Sequence, residues 1–247
     1  MELFGVVIIG VIVGFLGGMF GKGGSAIATP MLHAVGISAF SAVASPLPAT
    51  IPATLIASYA YWRAHAVDWR LVWWSIAFGI PATIAGAIAT RWIGGGLLVH
   101  VTDAILVLLG IRFVFWPQNQ ESETEEEVVP PLLHLAAVCI AVGVISGLLA
   151  NSGGFLLAPL YMVVLRLPIR PAFATSLAVS AALAVPGTIV HAALGHIEWT
   201  VVFVFACGSI PLSFVGAKVA LRTNAAHLER IYGVAIGLLG LGFLVFN

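Results

Sequence analysis

The sequence predicts an all-α polytopic membrane protein built from two inverted repeats of about five membrane segments each. Its 247 residues are 61% hydrophobic and only 8% charged, whereas ordinary soluble domains carry about 25% charged residues. Apolar runs recur along the chain, and the pattern restarts after one acidic stretch. Short glycine-rich motifs interrupt the runs at corresponding places in the two halves, so we expect broken or re-entrant helices at these motifs.

Ten apolar segments follow one another along the chain. A run of roughly 20 apolar residues crosses the hydrocarbon core of a membrane as a helix. The segments lie at 3–20, 25–38, 42–62, 71–90, 97–116, 132–150, 154–166, 173–193, 200–221 and 231–246. They divide the chain into a first repeat (1–116), an acidic linker (117–131) and a second repeat (132–247). The first run lacks a basic start and a small-residue cleavage site, so we interpret it as a retained helix rather than a signal peptide.

Charge and cysteine content exclude several classes of protein. Ten basic and ten acidic side chains give a net charge of zero, and without a basic face we expect no nucleic-acid partner. The lipid bilayer is the partner that the composition indicates. Cys139 and Cys207 lie inside apolar runs, so we expect small core residues rather than a disulfide.

The two halves resemble each other at matching positions. Three glycines and a proline recur 129 positions later, namely Gly14, Gly18, Gly24 and Pro30. Two dipeptides recur 130 positions later, Asp68-Trp69 as Glu198-Trp199 and Ile80-Pro81 as Ile210-Pro211. These matches predict an internal duplication.

The basic residues predict that the second repeat is inverted. An odd number of segments turns the following repeat upside down, and cytoplasmic loops carry an excess of Lys and Arg. With the N-terminus outside, eight basic residues fall on the inner side, namely Arg63, Arg70, Arg112, Arg166, Arg170, Lys218, Arg222 and Arg230. Arg91 falls outside. We therefore expect both termini outside a bacterial plasma membrane and the 117–131 linker in the cytoplasm.

Glycine-rich motifs separate the first two segments of each repeat. They read Gly21-Lys22-Gly23-Gly24-Ser25 in the first half and Asn151-Ser152-Gly153-Gly154 in the second. A glycine-rich turn that opens a helix directs N–H groups and the positive end of the helix dipole at one spot, which binds anions. Two such turns facing each other near mid-membrane would hold a small oxyanion, and Lys22 would add a full positive charge. The alternative is that these glycines only allow close helix packing.

Prolines interrupt the third segment of each repeat. They are Pro46, Pro48 and Pro52 in the first repeat and Pro186 in the second. Proline breaks a helix and frees carbonyl groups. Hydroxyl side chains flank these positions, namely Ser45, Thr50, Thr175, Ser176 and Ser180. They are candidates for contact with the anion or for bonding to the freed backbone groups, and the sequence leaves both roles open.

Ionisable residues inside the apolar runs suggest further roles. Asp103 is the one acidic residue well inside such a run. It is a candidate for ion or proton coupling, and a salt bridge to Arg91 is the alternative. His191, His196 and Glu198 cluster at one loop without a metal-ligand spacing, and no GxSxG motif occurs. We therefore expect no metal, no cofactor and no enzyme, with an intramembrane enzyme as the weaker hypothesis.

The chain resembles the TauE/SafE family of sulfite and organosulfonate exporters. The resemblance rests on GFLGGMFGKGGSAIATPML, on its echo GLLANSGGFLLAPLY, and on SAVAS and ATSLAV in the segments that follow. It implies export of small sulfur-containing anions such as sulfite or sulfoacetate, and the broken helices expected at the centre favour alternating access over a continuous pore. The family's glycine-rich positions correspond to Gly21, Gly23, Gly24, Gly153 and Gly154, with Lys22 opposite Asn151. A channel, or a carrier for a different small solute, stays open as an alternative, and the sequence predicts no oligomeric state.

The membrane potential provides a further hypothesis about energy. A potential that is negative inside favours anion exit by about 2.3 kcal/mol per charge for every 100 mV. Export by uniport, without a coupling ion, is therefore a hypothesis that the scarcity of acidic residues in the apolar runs favours.

Overall fold

The structure is a computed structural model that describes residues 2–21, 25–93, 132–150, 152–228, 230–232 and 234–235, with the single positions 97, 104, 108 and 111. Within these residues every regular element is a helix. The predicted linker 117–131 and most of the predicted segments 97–116 and 231–246 lie outside the described residues.

Nine α-helices have both ends within the described ranges, and further helical residues lie at 225–228, 230–232 and 234–235. The nine are α1 Glu2–Met19, α2 Ser25–Ala34, α3 Ala39–Ala44, α4 Pro46–Arg63, α5 Trp69–Ala89, α6 Leu132–Leu148, α7 Gly154–Val163, α8 Ile169–Ala193 and α9 Trp199–Arg222. A 3₁₀ turn, Thr90–Trp92, extends α5. Each of the eight predicted segments within these ranges contains a helix.

The helices are long and apolar enough for a membrane protein. Four helical stretches qualify as full spans by length and composition, namely Ala39–Arg63 (α3 with α4), Trp69–Trp92 (α5 with its 3₁₀ turn), Ile169–Ala193 and Trp199–Arg222. Shorter apolar helices lie at Leu3–Met19 and Leu133–Leu148. Tryptophans with strongly exposed rings, such as Trp69, Trp92 and Trp199, lie at span ends, where aromatic side chains favour the headgroup level. The all-helical membrane class is confirmed, and a total of ten segments stays a prediction.

Proline does not break the third segment in the way that the sequence predicts. Helix α4 continues through Pro52, and α8 continues through Pro186 as one helix of 25 residues. The first copy is interrupted at Ser45, immediately before Pro46 at the start of α4. Proline fits the first helical position because its missing N–H has no partner there in any helix. The expected breaks at Pro52 and Pro186 are therefore wrong.

Helices α4 and α8 form the centre of the bundle and run antiparallel. The Ser45 hydroxyl at the start of α4 accepts a hydrogen bond from the Glu198 N–H beyond the end of α8, at 2.9 Å. The Thr175 hydroxyl near the start of α8 accepts one from the Asp68 N–H beyond the end of α4, at 3.1 Å. The start of each helix is thus bonded to the loop that follows the other.

Two further pairs, α1 with α9 and α6 with α5, make the most extensive helix contacts. Gly18 of α1 lies so close to Ser213 of α9 that a methyl group at position 18 would collide with the Ser213 backbone. Gly147 of α6 meets the backbone of Thr83 in α5 in the same way. Small residues allow such close approach between membrane helices.

The helix bounds repeat at a fixed offset. Ala39–Arg63 and Ile169–Ala193 differ by 130 positions at both ends, and so do Trp69–Trp92 and Trp199–Arg222. The contacts repeat as well, because Gly147 and Thr83 stand 129 and 130 positions from Gly18 and Ser213. The predicted sequence similarity between the halves is therefore matched by their helices and packing.

Candidate functional site

The chain reverses direction after α6, at the second glycine-rich motif. Ala150 and Gly153 both have positive φ angles, 45° and 76°. Helix α6 ends at Leu148, yet a Cβ atom built on Gly153 would lie 3.2 Å from Val142 Cγ1. The chain has therefore folded back along α6 by almost two turns, as in a re-entrant hairpin.

The hairpin places the N-terminus of α7 beside the middle of α8. A Cβ on Gly153 would lie 3.3 Å from Leu183 Cδ1, and Leu183 lies near the centre of α8. Ser152, Gly153 and Gly154 are buried. The first N–H groups of a helix have no partner within that helix, and they lie at the positive end of its dipole. A buried positive helix end in the interior of a membrane bundle suits a small anion. Asn151 lies outside the described residues.

The first motif begins with a similar turn against α8. Gly21 has a φ angle of 67°, and a Cβ atom on it would lie 2.5 Å from Phe173 Cα. Its carbonyl accepts a hydrogen bond from the Ser176 hydroxyl at 2.7 Å. Only glycine fits a left-handed turn this close to another backbone. Lys22, Gly23 and Gly24 lie outside the described residues, and Ser25 begins α2.

The predicted hydroxyl residues are buried and bond to the backbone. Ser45 and Thr175 connect α4 and α8 to the loops described above. Ser176 bonds the Gly21 carbonyl, and Thr50 donates to the Pro46 carbonyl at 3.1 Å. All four bond backbone groups, although none of these groups is a carbonyl that a proline frees, and contact with substrate stays a prediction. Ser180 is buried, and its hydroxyl has no hydrogen-bond partner in the described part of the chain.

A small cavity lies between α1, α4 and α9. It has about 10 Å³ of free space, enough for roughly one water molecule. Its lining comprises Val13, Gly14, Gly17, Gly18, Thr50, Ala53, Thr54, Leu177, Phe205, Ser209 and Ser213. The Ser209 hydroxyl is buried without a hydrogen-bond partner among the described residues, and no charged side chain lines the cavity.

Sequence reasoning missed the cavity serines. Ser209 and Ser213 stand four residues apart on α9, facing Gly14 and Gly18 of α1. Two serines at helical spacing inside an apolar span were the available signal. The Ser213 hydroxyl donates to the Ala53 carbonyl of α4 at 2.7 Å, so this face of α9 bonds to α4 as well.

The carbonyls at the ends of α1 and α6 have equivalent side-chain donors, which the sequence did not predict. The Tyr61 hydroxyl at the end of α4 donates to the Met19 carbonyl at 3.2 Å. His191 Nε2, at the end of α8, lies 3.0 Å from the Gly147 carbonyl. Tyr61 and His191 are 130 positions apart, the offset at which other residues of the two halves match, and this offset could have identified them as equivalent.

The two cysteines differ in environment. Cys139 is buried and donates to the Ser75 hydroxyl at 3.2 Å, and that hydroxyl lies 2.6 Å from the Tyr161 hydroxyl. Cys207 is exposed on α9, so the expectation that it is a core residue is wrong. A membrane helix is apolar on its lipid-facing side as well as its buried side, so apolar neighbours in sequence do not indicate burial. Both cysteines are free, and no disulfide links them.

The remaining ionisable candidates divide between described and undescribed residues. Asp103 lies outside the described residues. His191 and His196 lie together, but no group of three or more potential metal ligands occurs within the ranges that the structure describes.

Helices long and apolar enough to span a membrane, a hairpin at a glycine-rich turn and a buried helix N-terminus fit an integral membrane protein of the transporter class. The chain belongs to the sulfite exporter TauE/SafE family, whose sequence model matches residues 6–243. It is a membrane transporter rather than an enzyme.

Relatives in distant organisms carry transporter names. A "Probable membrane transporter protein" of Xylella fastidiosa (strain 9a5c) is 28% identical over 92% of this chain and 89% of its own length. YjnA of Bacillus subtilis (strain 168), another "probable membrane transporter protein", is 24% identical over 96% of this chain and 97% of its own. MJ0441 of Methanocaldococcus jannaschii, named likewise, is 22% identical over 97% and 94%. No solved structure matches the chain.

Proposed function

We propose that the protein is a secondary transporter that exports small sulfur-containing oxyanions, such as sulfite, sulfoacetate or related organosulfonates, across a bacterial plasma membrane by alternating access. The observation that carries the proposal is the buried N-terminus of α7 beside the middle of α8. The family's name supports sulfite as a substrate. The proposed substrate is a small anion, and the protein carries it across the lipid bilayer.

An inverted duplication supports alternating access. Helices α4 and α8 occupy equivalent positions in the two halves, and they pack antiparallel. Equivalent helices that run in opposite directions are the arrangement expected of inverted repeats. In secondary transporters the site lies at the interface between such repeats, and one repeat moves against the other.

The substrate site that we propose comprises the two glycine-rich motifs and nearby hydroxyls. Its residues are Gly21, Lys22, Gly23, Gly24, Ser25, Asn151, Ser152, Gly153 and Gly154, with Ser45, Thr175 and Ser176. The glycines allow backbone N–H groups to approach an anion closely, and Lys22 supplies the charge. The hydroxyls become available to substrate when their backbone bonds open during the transport cycle.

Uptake into proteoliposomes that hold the purified protein tests the proposal. Labelled sulfite and sulfoacetate are offered, with sulfate and acetate as competitors, at a series of imposed membrane potentials. We expect saturable uptake that one sulfur anion blocks, and stimulation by unlabelled anion preloaded on the far side, which a carrier shows and an open pore does not. Uptake no greater than in empty liposomes would contradict a sulfur-anion transporter.

Lys22 provides the sharpest test of the anion site. Lys22→Ala should raise the substrate KM at least tenfold, because it removes the one full charge of the two motifs. Arg91→Ala, which removes a positive charge from the turn after α5, is the matched control and should leave KM within about twofold. Equal, small effects of the two variants on KM would remove Lys22 from the site.

A further inference from the structure

The histidines at the end of α8 form a hydrogen-bonded chain that leads into the protein. His196 lies in the loop 194–198, and its ring stacks on Phe40 with centroids 4.4 Å apart. His196 Nδ1 lies 3.1 Å from Nδ1 of His191, which is buried. His191 Nε2 lies 3.0 Å from the Gly147 carbonyl of α6.

The chemistry of this chain fixes the position of each proton. A carbonyl oxygen only accepts, so His191 carries its proton on Nε2 and donates it to Gly147. Neutral His191 then has a lone pair on Nδ1, and His196 Nδ1–H donates to it. The Nε2 atom of His196 is left as the site where a further proton binds.

The pair has room for one extra proton. A proton from water binds His196 Nε2, and the Nδ1 proton of His196 can then pass to His191 Nδ1. Both hydrogen bonds of the chain can be kept in the packed arrangement, but the positive charge has then moved from the half-buried ring to the buried one. A second proton would leave two N–H groups facing each other at 3.1 Å, which breaks the chain.

The corresponding end of α4 makes the same contact without a titratable pair. Tyr61 takes the place of His191 and donates to the Met19 and Gly18 carbonyls. Ala66 stands 130 positions before His196. A tyrosine hydroxyl therefore suffices to hold a helix end of this kind, and the histidine pair adds the capacity to take up a proton.

Burial opposes protonation of His196 in this packed arrangement. Desolvation lowers the pKa of His196 below its usual range. The other ionisable groups at this end within the described residues are Glu198 on the same loop, His33 at the end of α2 and Arg91 after α5. Phe40, Ser45 and Gly147, the contacts from α3, its end and α6, carry no charge.

We propose that the His191–His196 pair is a proton-binding site that couples the pH at the loop 194–198 face to the position of the α6–α7 hairpin. In the packed arrangement a proton on the pair costs desolvation of the charge, so protonation favours an arrangement in which water reaches the rings, and there His191 separates from Gly147 and frees the end of α6. The hairpin holds the helix N-terminus of the anion site, so transport depends on pH at this face, which the sequence predicts to be the outer one. The transport consequence rests on the proposed function, and the proton site does not.

Thermal unfolding of the purified full-length protein tests the proton site without any substrate. The key variant, His191→Tyr with His196→Ala, reproduces the Tyr61 and Ala66 arrangement. Below pH about 6.5 the unfolded chain binds a proton at position 196 that the folded protein resists, so acid should lower the wild-type midpoint by up to about 5 °C per pH unit. The double variant should lose this slope, and His65→Asn, which removes the exposed histidine of the opposite loop, should keep it.

The results distinguish failure of the proton site from failure of the proposed function. An unchanged pH slope in the double variant overturns the proposal. If the double variant does not fold, His196→Ala alone must alter the slope, because it retains the His191–Gly147 bond and removes the proton entry point. In proteoliposomes at fixed potential, wild-type transport should respond to pH on one side more than on the other, and the double variant should lose that response. Absence of all transport would contradict the proposed function, while the unfolding profiles would still decide on the proton site.

Discussion

Individual glycines set the spacing between the helices of this bundle. Gly18 of α1 faces the Ser213 backbone of α9 with no space for a methyl group, whereas Gly5 of the same helix has Val35 Cγ1 as its nearest neighbour, at 3.7 Å from a built Cβ. The two glycines therefore differ in packing although they share a helix. In lipid, close van der Waals packing replaces the hydrophobic effect as the force between helices.

Gly18→Ala should destabilise the protein by about 1–3 kcal/mol, because the added methyl group pushes α1 away from α9. Gly5→Ala is the control, and it should be neutral or stabilising, since alanine favours a helix over glycine by about 1 kcal/mol. Thermal unfolding in detergent measures both. Equal stabilities of the two variants would show that α1 does not pack on α9 at this distance.

Single hydroxyls connect the two halves. Ser45→Ala removes the acceptor of the Glu198 N–H, and Thr175→Val removes the acceptor of the Asp68 N–H. Each variant should lose about 1 kcal/mol of stability. Ser180→Ala, which removes a buried hydroxyl without a hydrogen-bond partner in the described chain, should cost nothing. A Ser45→Ala variant as stable as the wild type would contradict this role of Ser45.

At the scale of elements, the hairpin α6–α7 depends on one turn. Gly153 has a φ angle of 76° and is crowded by Val142, Ser146 and Leu183. Gly195, in the loop after α8, has nearly the same φ angle, 72°, but a Cβ there would meet nothing within 4 Å. Both positions have a left-handed backbone that would strain a residue with a Cβ atom, but only at Gly153 would that Cβ atom meet neighbouring side chains.

Gly153→Ala should therefore cost more than Gly195→Ala. Both variants pay about 1–2 kcal/mol for a left-handed alanine, and only the first also displaces the N-terminus of α7 from α8. Unfolding midpoints compare the stabilities, and uptake assays compare transport. We expect reduced uptake for Gly153→Ala alone. Equal losses of stability and uptake in both variants would show that crowding at Gly153 is unimportant.

The sequence predicted where the elements lie better than how they are interrupted. Hydropathy placed the third segments at 42–62 and 173–193, close to the observed Ala39–Arg63 and Ile169–Ala193. The expectation that Pro186 breaks its helix was wrong. A proline inside a packed membrane helix removes only local hydrogen bonds, which neighbouring groups can replace. The break at Ser45 falls beside Pro46, where the sequence predicts an interruption, whereas the bond between Ser45 and Glu198, 153 positions away, is a contact that no local pattern reveals.

For the molecule as a whole, the duplication was predictable and its internal bonds were not. The recurrence of Gly18 as Gly147 follows from the printed sequence. The packing partners of these glycines are seen only in the structure, where α1 of the first half packs on α9 of the second and α6 of the second half packs on α5 of the first. Likewise Tyr61 and His191 are different residue types, so a comparison of the two halves in sequence does not reveal that each bonds a carbonyl at the end of a helix.

The inversion that we propose for the second repeat makes a prediction about the sides of the membrane on which two loops lie. The loops after α4 and α8 lie at opposite ends of the antiparallel pair, and the positive-inside rule assigns the first to the cytoplasm. In a variant lacking Cys139 and Cys207, His65→Cys and Gly195→Cys each place one thiol in one of these loops. A membrane-impermeant thiol reagent added to intact cells should label position 195 and reach position 65 only after lysis. Labelling of both positions from outside would contradict the inversion. Labelling of position 65 alone would keep the inversion and reverse the orientation, which would place the histidine pair on the cytoplasmic side.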